Sequence, residues 1–220
     1  MQLCYADPSA FDAAFLQRLT PLLPPEKQQS IAKIRHAPTR RQAVLAWGLL
    51  VFALRETAPG EPLPPLGFTQ TGKPFLTGSG PQFNLSHTDT LVCLALDDRQ
   101  VGVDAQTLLT PSDGVAKRVL SPAELALLET ARDKAALFTA FWTMKEAYVK
   151  RTGEGIARDL KALDFAPYDG LDRFAAYGCR FSAFRLHGAV MTACGEAEAE
   201  PPRPVTQQML EAVLLSSNHS

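Results

Sequence analysis

The chain is poor in the residues that build metal-bound or disulfide-bonded frameworks. Its 220 residues include four cysteines, Cys4, Cys93, Cys179 and Cys194, widely spaced and with no C-x-x-C pair. That spacing speaks against a zinc ribbon or a disulfide scaffold and for reduced thiols. Neither sign of charge dominates: 22 Lys and Arg stand against 23 Asp and Glu, a formal net charge of −1. A global pull toward nucleic acid or an anionic membrane is therefore missing, and any anion site must be local. Long apolar runs are missing too. The longest, Ala43 to Leu54, lies between Arg41 and Arg55. It falls well short of the roughly 20 apolar residues that span a bilayer, so it reads as a buried helix and no membrane span is expected. The basic, apolar, small-residue order of a signal peptide is also absent at the start, so the expected location is cytoplasmic.

What is present reads as helices mixed with short strands. Ala10 to Leu19 is amphipathic, and Pro24-Pro25-Glu26-Lys27 resembles a helix start, since proline fits a first turn. A strong helix is expected from Thr39, as its cap, through Arg55. The period then changes. Leu91 to Leu96 is a strand candidate, Asp97 to Gln100 has turn chemistry, and Val101 to Val103 resumes a strand. Ser121 and Glu124 form a capping box with Pro122 at the first helical position. A second long helix runs from about Lys134 to Arg151 and stops at Gly153. Further strands are expected at Leu163 to Ala166, Phe174 to Leu186 and Ala189 to Cys194. Glu196 to Pro204 reads as a linker, and Val205 to Leu215 as a short terminal helix. The expected class is α+β, with two similar α+β lobes at 1–99 and 100–195, and a C-terminal segment at 196–220.

Four segments carry chemistry. In Trp142-Thr-Met-Lys-Glu-Ala-Tyr-Val-Lys150, Glu146 and Lys150 share one helix face. They are either a surface ion pair or part of a site, and the flanking Trp142 and Tyr148 read as core. Val101-Gly-Val-Asp104 ends an apolar strand in a carboxylate, which either caps a turn or holds a cation beyond the strand end. Phe83-Asn-Leu-Ser-His87 places Ser86 and His87 side by side. Neighbours on an extended segment point to opposite faces, so a nucleophile–base pair is a poor reading. No G-x-S-x-G elbow supports a serine hydrolase either. Phosphate binding by Ser86 and His87 fits better, with satisfied structural polar groups as the alternative. Gly72-Lys73-Pro74 is no Walker loop, yet Lys73 can meet a phosphate as a point charge. Arg40 and Arg41 oppose the dipole of the helix they open unless an anion binds there.

Together these segments resemble the 4′-phosphopantetheinyl transferase superfamily, in its two-lobed, Sfp-like branch. They stand in the family's order over roughly residues 72 to 155, with Pro25-Glu26-Lys27 and Arg40-Arg41 as weaker matches upstream. The V-G-V-D and W-x-x-K-E-A pair is the specific part. The resemblance implies two α+β lobes related by a pseudo-twofold, with the active site in the cleft between them. It implies Mg²⁺-dependent transfer of the phosphopantetheine arm of coenzyme A to a serine of an acyl or peptidyl carrier protein, releasing adenosine 3′,5′-bisphosphate. Asp104, Gln106 and Glu146 would hold the metal, and Glu146 and Lys150 would be catalytic. Lys27, Arg41, Lys73, Ser86 and His87 would bind coenzyme A. One departure stands out: many members have Glu where this chain has Gln106, whose amide oxygen carries no charge. The alternative is a non-catalytic relative that binds coenzyme A or a carrier. Lys117 and Arg118, just before the capped helix, are either solvated charges or a carrier-steering patch. No nucleic-acid partner is expected, and a monomer suffices when both lobes lie in one chain.

Overall fold

The computed structural model describes residues 1–155 and 159–214. The chain opens with β1 (Gln2–Ala6), α1 (Ala13–Leu19), α2 (Pro25–Ala32) and α3 (Ala37–Thr57). A small hairpin follows, β2 (Leu66–Phe68) and β3 (Pro74–Leu76), and then β4 (Gln82–His87) and β5 (Val92–Asp97). The second half runs β6 (Gly102–Thr107), α4 (Asp113–Val119), α5 (Pro122–Thr130), α6 (Lys134–Thr152), β7 (Arg173–Ala176), β8 (Cys179–Leu186) and β9 (Ala189–Gly195). It closes with β10 (Arg203–Pro204) and α7 (Gln207–Leu214).

The class is mixed α+β, as expected. One four-stranded sheet has the order β10-β1-β5-β4, the other β6-β9-β8-β7. Each half runs strand, long helix, then a hairpin whose last strand lies next to the first: β1, α3, β4, β5 and β6, α6, β8, β9. Strand alternation shows how the layers form. Val92, Leu94 and Leu96 of β5 pack with α3, while Cys93 and Ala95 face the other sheet and meet Val103, Ala105 and Met191. The helix-facing side of the second sheet buries Phe181 and Cys194 against Phe138, Phe141 and Met144 of α6. The layers are therefore helix, sheet, sheet, helix. A fully buried Phe or Leu in these cores contributes about 1.5 to 3 kcal/mol.

Several boundaries differ from the sequence expectation. The third helix begins two residues before Thr39. Pro38 sits in its first turn, and His36 is the cap, its ring nitrogen accepting from the Thr39 amide. The first amphipathic segment splits into a 3-10 turn, Pro8–Ala10, and α1, which Asp12 caps. The strand expected over Phe174 to Leu186 is a hairpin. Its two-residue turn, Tyr177-Gly178, has both φ values positive, the geometry that matches strand twist. Leu163 to Ala166 is not a strand, because side chains rather than a neighbouring strand take up its backbone groups. The expected C-terminal linker carries a two-residue strand parallel to β1, and α7 then packs on α3. The tail at 215–220 lies outside the described residues. Among the described residues no helix is long and apolar enough to cross a membrane.

Candidate active site

The site forms where β4, β6 and α6 meet. β6 is an edge strand with one ladder partner, β9, so alternate N–H groups on its other side need acceptors. β4 supplies them from side chains. Asn84 Oδ1 accepts from the Val103 amide at 2.8 Å, and Ser86 Oγ accepts from the Ala105 amide at 3.2 Å. This explains why F-N-L-S-H and V-G-V-D occur together: residues two apart on one strand serve amides two apart on the other. Asn84, unassigned by the sequence reading, is thus part of the frame. Its signal was the shared period-two face with Ser86.

On the α6 side of β6 stand Gly102, Asp104 and Gln106. An α-helix can lie this close only because residue 102 lacks a Cβ, which would stand 2.0 Å from the Ala147 carbonyl oxygen. The close approach puts α6 side chains in contact with Asp104. Lys150 Nζ donates to Asp104 Oδ1 at 2.6 Å and to Ser86 Oγ at 3.0 Å, and the Ser86 hydroxyl lies 3.0 Å from the same carboxylate oxygen. One cavity of about 350 Å³ is lined by Ser86, His87, Asp104, Gln106, Glu146 and Lys150. A second, of about 700 Å³, shares Trp142, Glu146 and Lys150 with the first and reaches Lys73, Arg118 and Leu160.

Electrostatics follow from this crowding. Burial pushes the Glu146 carboxyl above its ordinary range, the Asp104 charge adds to the rise, and Lys150 opposes it. Burial pushes the His87 imidazole below its ordinary value, with Lys150 acting the same way and Asp89 and Asp104 opposing. A carboxylate raised in this manner beside a cation is the type of group that takes up a proton during a reaction. Two carboxylates and an amide oxygen facing one cavity form an all-oxygen donor set. Magnesium, which takes one or two carboxylates besides substrate oxygens, suits such a set. Among the described residues no cluster of three or more His, Cys, Asp or Glu side chains is placed to hold a metal ion.

Of the remaining expected residues, Ser86 and Lys73 lie at these two cavities, and Lys27 and Arg41 lie outside them. Ser86 is buried, and its hydroxyl is engaged by Asp104, Lys150 and the Ala105 amide, which occupies its donor and acceptor capacity inside the protein. Lys73 reaches the end of α6, where its Nζ donates to the Arg151 carbonyl at 2.9 Å and the Val101 carbonyl at 3.4 Å. Burial and then the Arg151 charge push its pKa down to about 8. Lys27 lies over the rings of Trp47 and Phe68, 4.5 and 4.6 Å from their centroids, and lines neither cavity. Arg41 donates to the Pro8 carbonyl at 2.8 Å and lines a separate cavity of about 680 Å³ with His36, Gln42 and Asp89.

A family model, the 4′-phosphopantetheinyl transferase superfamily, matches residues 100–191. The chain is 30% identical over 231 residues to the L-aminoadipate-semialdehyde dehydrogenase-phosphopantetheinyl transferase of Eremothecium gossypii, covering 94% of this chain and 82% of that one. It is 42% identical over 100 residues to the 4′-phosphopantetheinyl transferase HetI of Nostoc sp., covering 41% of this chain and 42% of that one. It is 34% identical over 80 residues to the 4′-phosphopantetheinyl transferase Sfp of Bacillus subtilis, covering 36% of each.

Proposed function

The chain belongs to the 4′-phosphopantetheinyl transferase superfamily, and on that premise we propose that it moves the phosphopantetheine arm of coenzyme A onto a serine of an acyl or peptidyl carrier protein. The other product is adenosine 3′,5′-bisphosphate. The observation that carries this reading is the meeting of Asp104, Glu146 and Lys150 at one cavity, which shares three lining residues with a larger one.

Phosphoryl transfer leaves little covalent work to the protein, so positioning and charge stabilisation dominate. The carrier serine gives its proton to Glu146, directly or through one water, as its oxygen bonds to phosphorus and the bond to the leaving bisphosphate breaks. Lys150, one helical turn further on, meets the charge that grows on the leaving oxygen. Asp104 holds the Lys150 ammonium in place, and buried Ser86 fixes Asp104. Asp104, Glu146 and Gln106 would hold a magnesium ion, which supplies neutralising charge to the pyrophosphate. His87, Lys73 and Arg41 add positive or hydrogen-bonding groups for coenzyme A phosphates, His87 from the smaller cavity, Lys73 from the larger and Arg41 from a third. Lys27, stacked on two rings, is the weakest of the proposed contacts.

The same reading makes the two halves lobes related by a pseudo-twofold, with the site at their seam; their shared strand–helix–hairpin order supports it. Within this proposal the lobes are 1–99 and 100–195, and β10 and α7 of the 196–220 segment return to the first. All the reacting groups come from one chain, so a monomer acting in the cytoplasm is sufficient.

The test is to incubate the protein with coenzyme A, magnesium and an apo-carrier and to weigh the carrier. A mass gain equal to the phosphopantetheine arm is expected. Coenzyme A binding with no gain would replace this reading with a binding-only one.

Carrier docking is proposed at α4. Val115, Lys117 and Arg118 are exposed there, Arg118 lines the larger cavity, and Leu108 nearby is 51% exposed. Carrier proteins are commonly acidic around the modified serine, so a basic and apolar helix at the rim suits them. Lys117→Glu with Arg118→Glu is expected to raise the carrier KM by about tenfold at low salt and to flatten its salt dependence. Coenzyme A affinity should hardly move in Lys117→Glu alone, which leaves the cavity-lining Arg118 in place. An unchanged carrier KM would transfer the search to another face.

A further inference from the structure

Lys145 adjoins Glu146 in sequence yet faces away from the cavity, into the core of the second half. Its side chain and that of Glu124 are both 0% exposed, and they pair at 2.8 Å. Burial pushes the Lys145 ammonium below its ordinary value, against Glu124, which holds it up. Two buried charges are weak evidence of added stability, because apolar residues of similar size often serve that purpose better. Their hydrogen bonds indicate another purpose. Lys145 Nζ donates to the Leu160 carbonyl at 2.9 Å and to the Leu163 carbonyl. Glu124 accepts from the Phe165 amide and the Ser121 amide, each at 2.8 Å. Ser121 Oγ in turn donates to Asp164 at 2.8 Å.

The segment 159–168 contains only two single 3-10 turns, Leu160–Ala162 and Ala166–Tyr168. It has no ladder or long helix to satisfy its backbone, and three of its groups bond to this one ion pair. The same segment walls the larger cavity: Asp159 and Leu160 line it together with Glu146 and Lys150. We propose that Lys145 and Glu124 are positioning residues, which set the wall of the larger cavity and through it the binding of coenzyme A. This rests on the transferase reading. Lys145 and Glu146 then divide the labour of one helical turn: the first fixes the wall and the second faces the reaction.

A merely structural pair would alter melting without altering affinity in the folded protein. The test therefore uses the full chain carrying Lys145→Met with Glu124→Gln, which removes both charges at similar volume. Glu124→Gln alone, which keeps one acceptor oxygen and leaves Lys145 bonded to the Leu160 and Leu163 carbonyls, is a second variant in case the double one folds poorly. Coenzyme A binding is measured by calorimetry well below the melting temperature, and KM and kcat are measured in the carrier assay. The coenzyme A Kd and KM are expected to rise about tenfold or more, from a wall misplaced by a fraction of an ångström. kcat per folded molecule and the carrier KM should stay near those of the parent. A lowered melting temperature with an unchanged coenzyme A Kd would overturn the proposal while leaving the transferase reading intact. A parent chain that neither binds coenzyme A nor modifies a carrier would overturn both.

Discussion

Asp104→Ala and Glu146→Ala are each expected to lower transfer by about 10³-fold or more, the scale for removing a charged group that acts only on the transition state. Asp104 is 6% exposed and holds Lys150 and Ser86 through the same oxygen. Its removal deletes a metal-competent carboxylate and also frees the lysine that should meet the leaving group. Glu146 is held less tightly, and its raised pKa marks a carboxylate under strain from burial and from Asp104. Its loss removes the proposed proton acceptor, and Asp104 and Lys150 keep their mutual bond. The two variants should therefore differ in structure more than in rate. Glu146→Ala should melt near the parent or above it, while Asp104→Ala should melt lower because a half-buried Lys150 loses its partner. Carrier mass gain at several magnesium concentrations, with circular dichroism melts alongside, measures both effects. Near-parent turnover in either folded variant would remove that residue from the chemistry.

The chemistry-bearing strand and helix were legible because each has a strong local signature. The capping box at Ser121 and Glu124 formed as expected, and α6 ended at Gly153 with a left-handed cap. Val-Gly-Val-Asp reads as an apolar strand ending in a carboxylate, and Val101 and Val103 pack between the sheets while Gly102 and Asp104 meet α6. Less legible was where long side chains end. Lys73 and Lys27 hold cations on flexible stems, and each found a nearer partner, a helix C-terminus for one and two aromatic rings for the other. Short elements were also missed. β1 draws its stability from partners far along the chain, β5 and β10, which no local window contains, whereas β2 and β3 are three-residue strands of one hairpin, too short to show a period. Lys145 illustrates both points. Its place in the W-x-x-K-E-A motif was plain, but its pairing with Glu124 spans a loop and two helices, so its structural task emerged only from the packing.

Gly102→Ala should affect the molecule out of proportion to one added methyl group. At position 102 a Cβ would lie 2.0 Å from the Ala147 carbonyl oxygen, 2.5 Å from the Arg151 amide nitrogen and 3.0 Å from the Arg151 Cα. All three are backbone atoms of α6, so no side chain can swing aside. Either β6 leaves its register with β9 or α6 lifts from the sheet, and both routes separate Lys150 from Asp104, now 2.6 Å apart. Overpacking of this type costs roughly 1 to 3 kcal/mol or more. A shift of about 1 Å at the site lowers turnover about 10²-fold. The control is Gly114→Ala in the first turn of α4, where a Cβ meets nothing within 4 Å and φ is not positive. That variant should melt at or above the parent temperature, since it also restricts the unfolded chain. Thermal melts and carrier-loading rates of the two alanine variants decide the matter. If Gly102→Ala melted and turned over like the parent, close contact between β6 and α6 would not be what brings Asp104, Glu146 and Lys150 together.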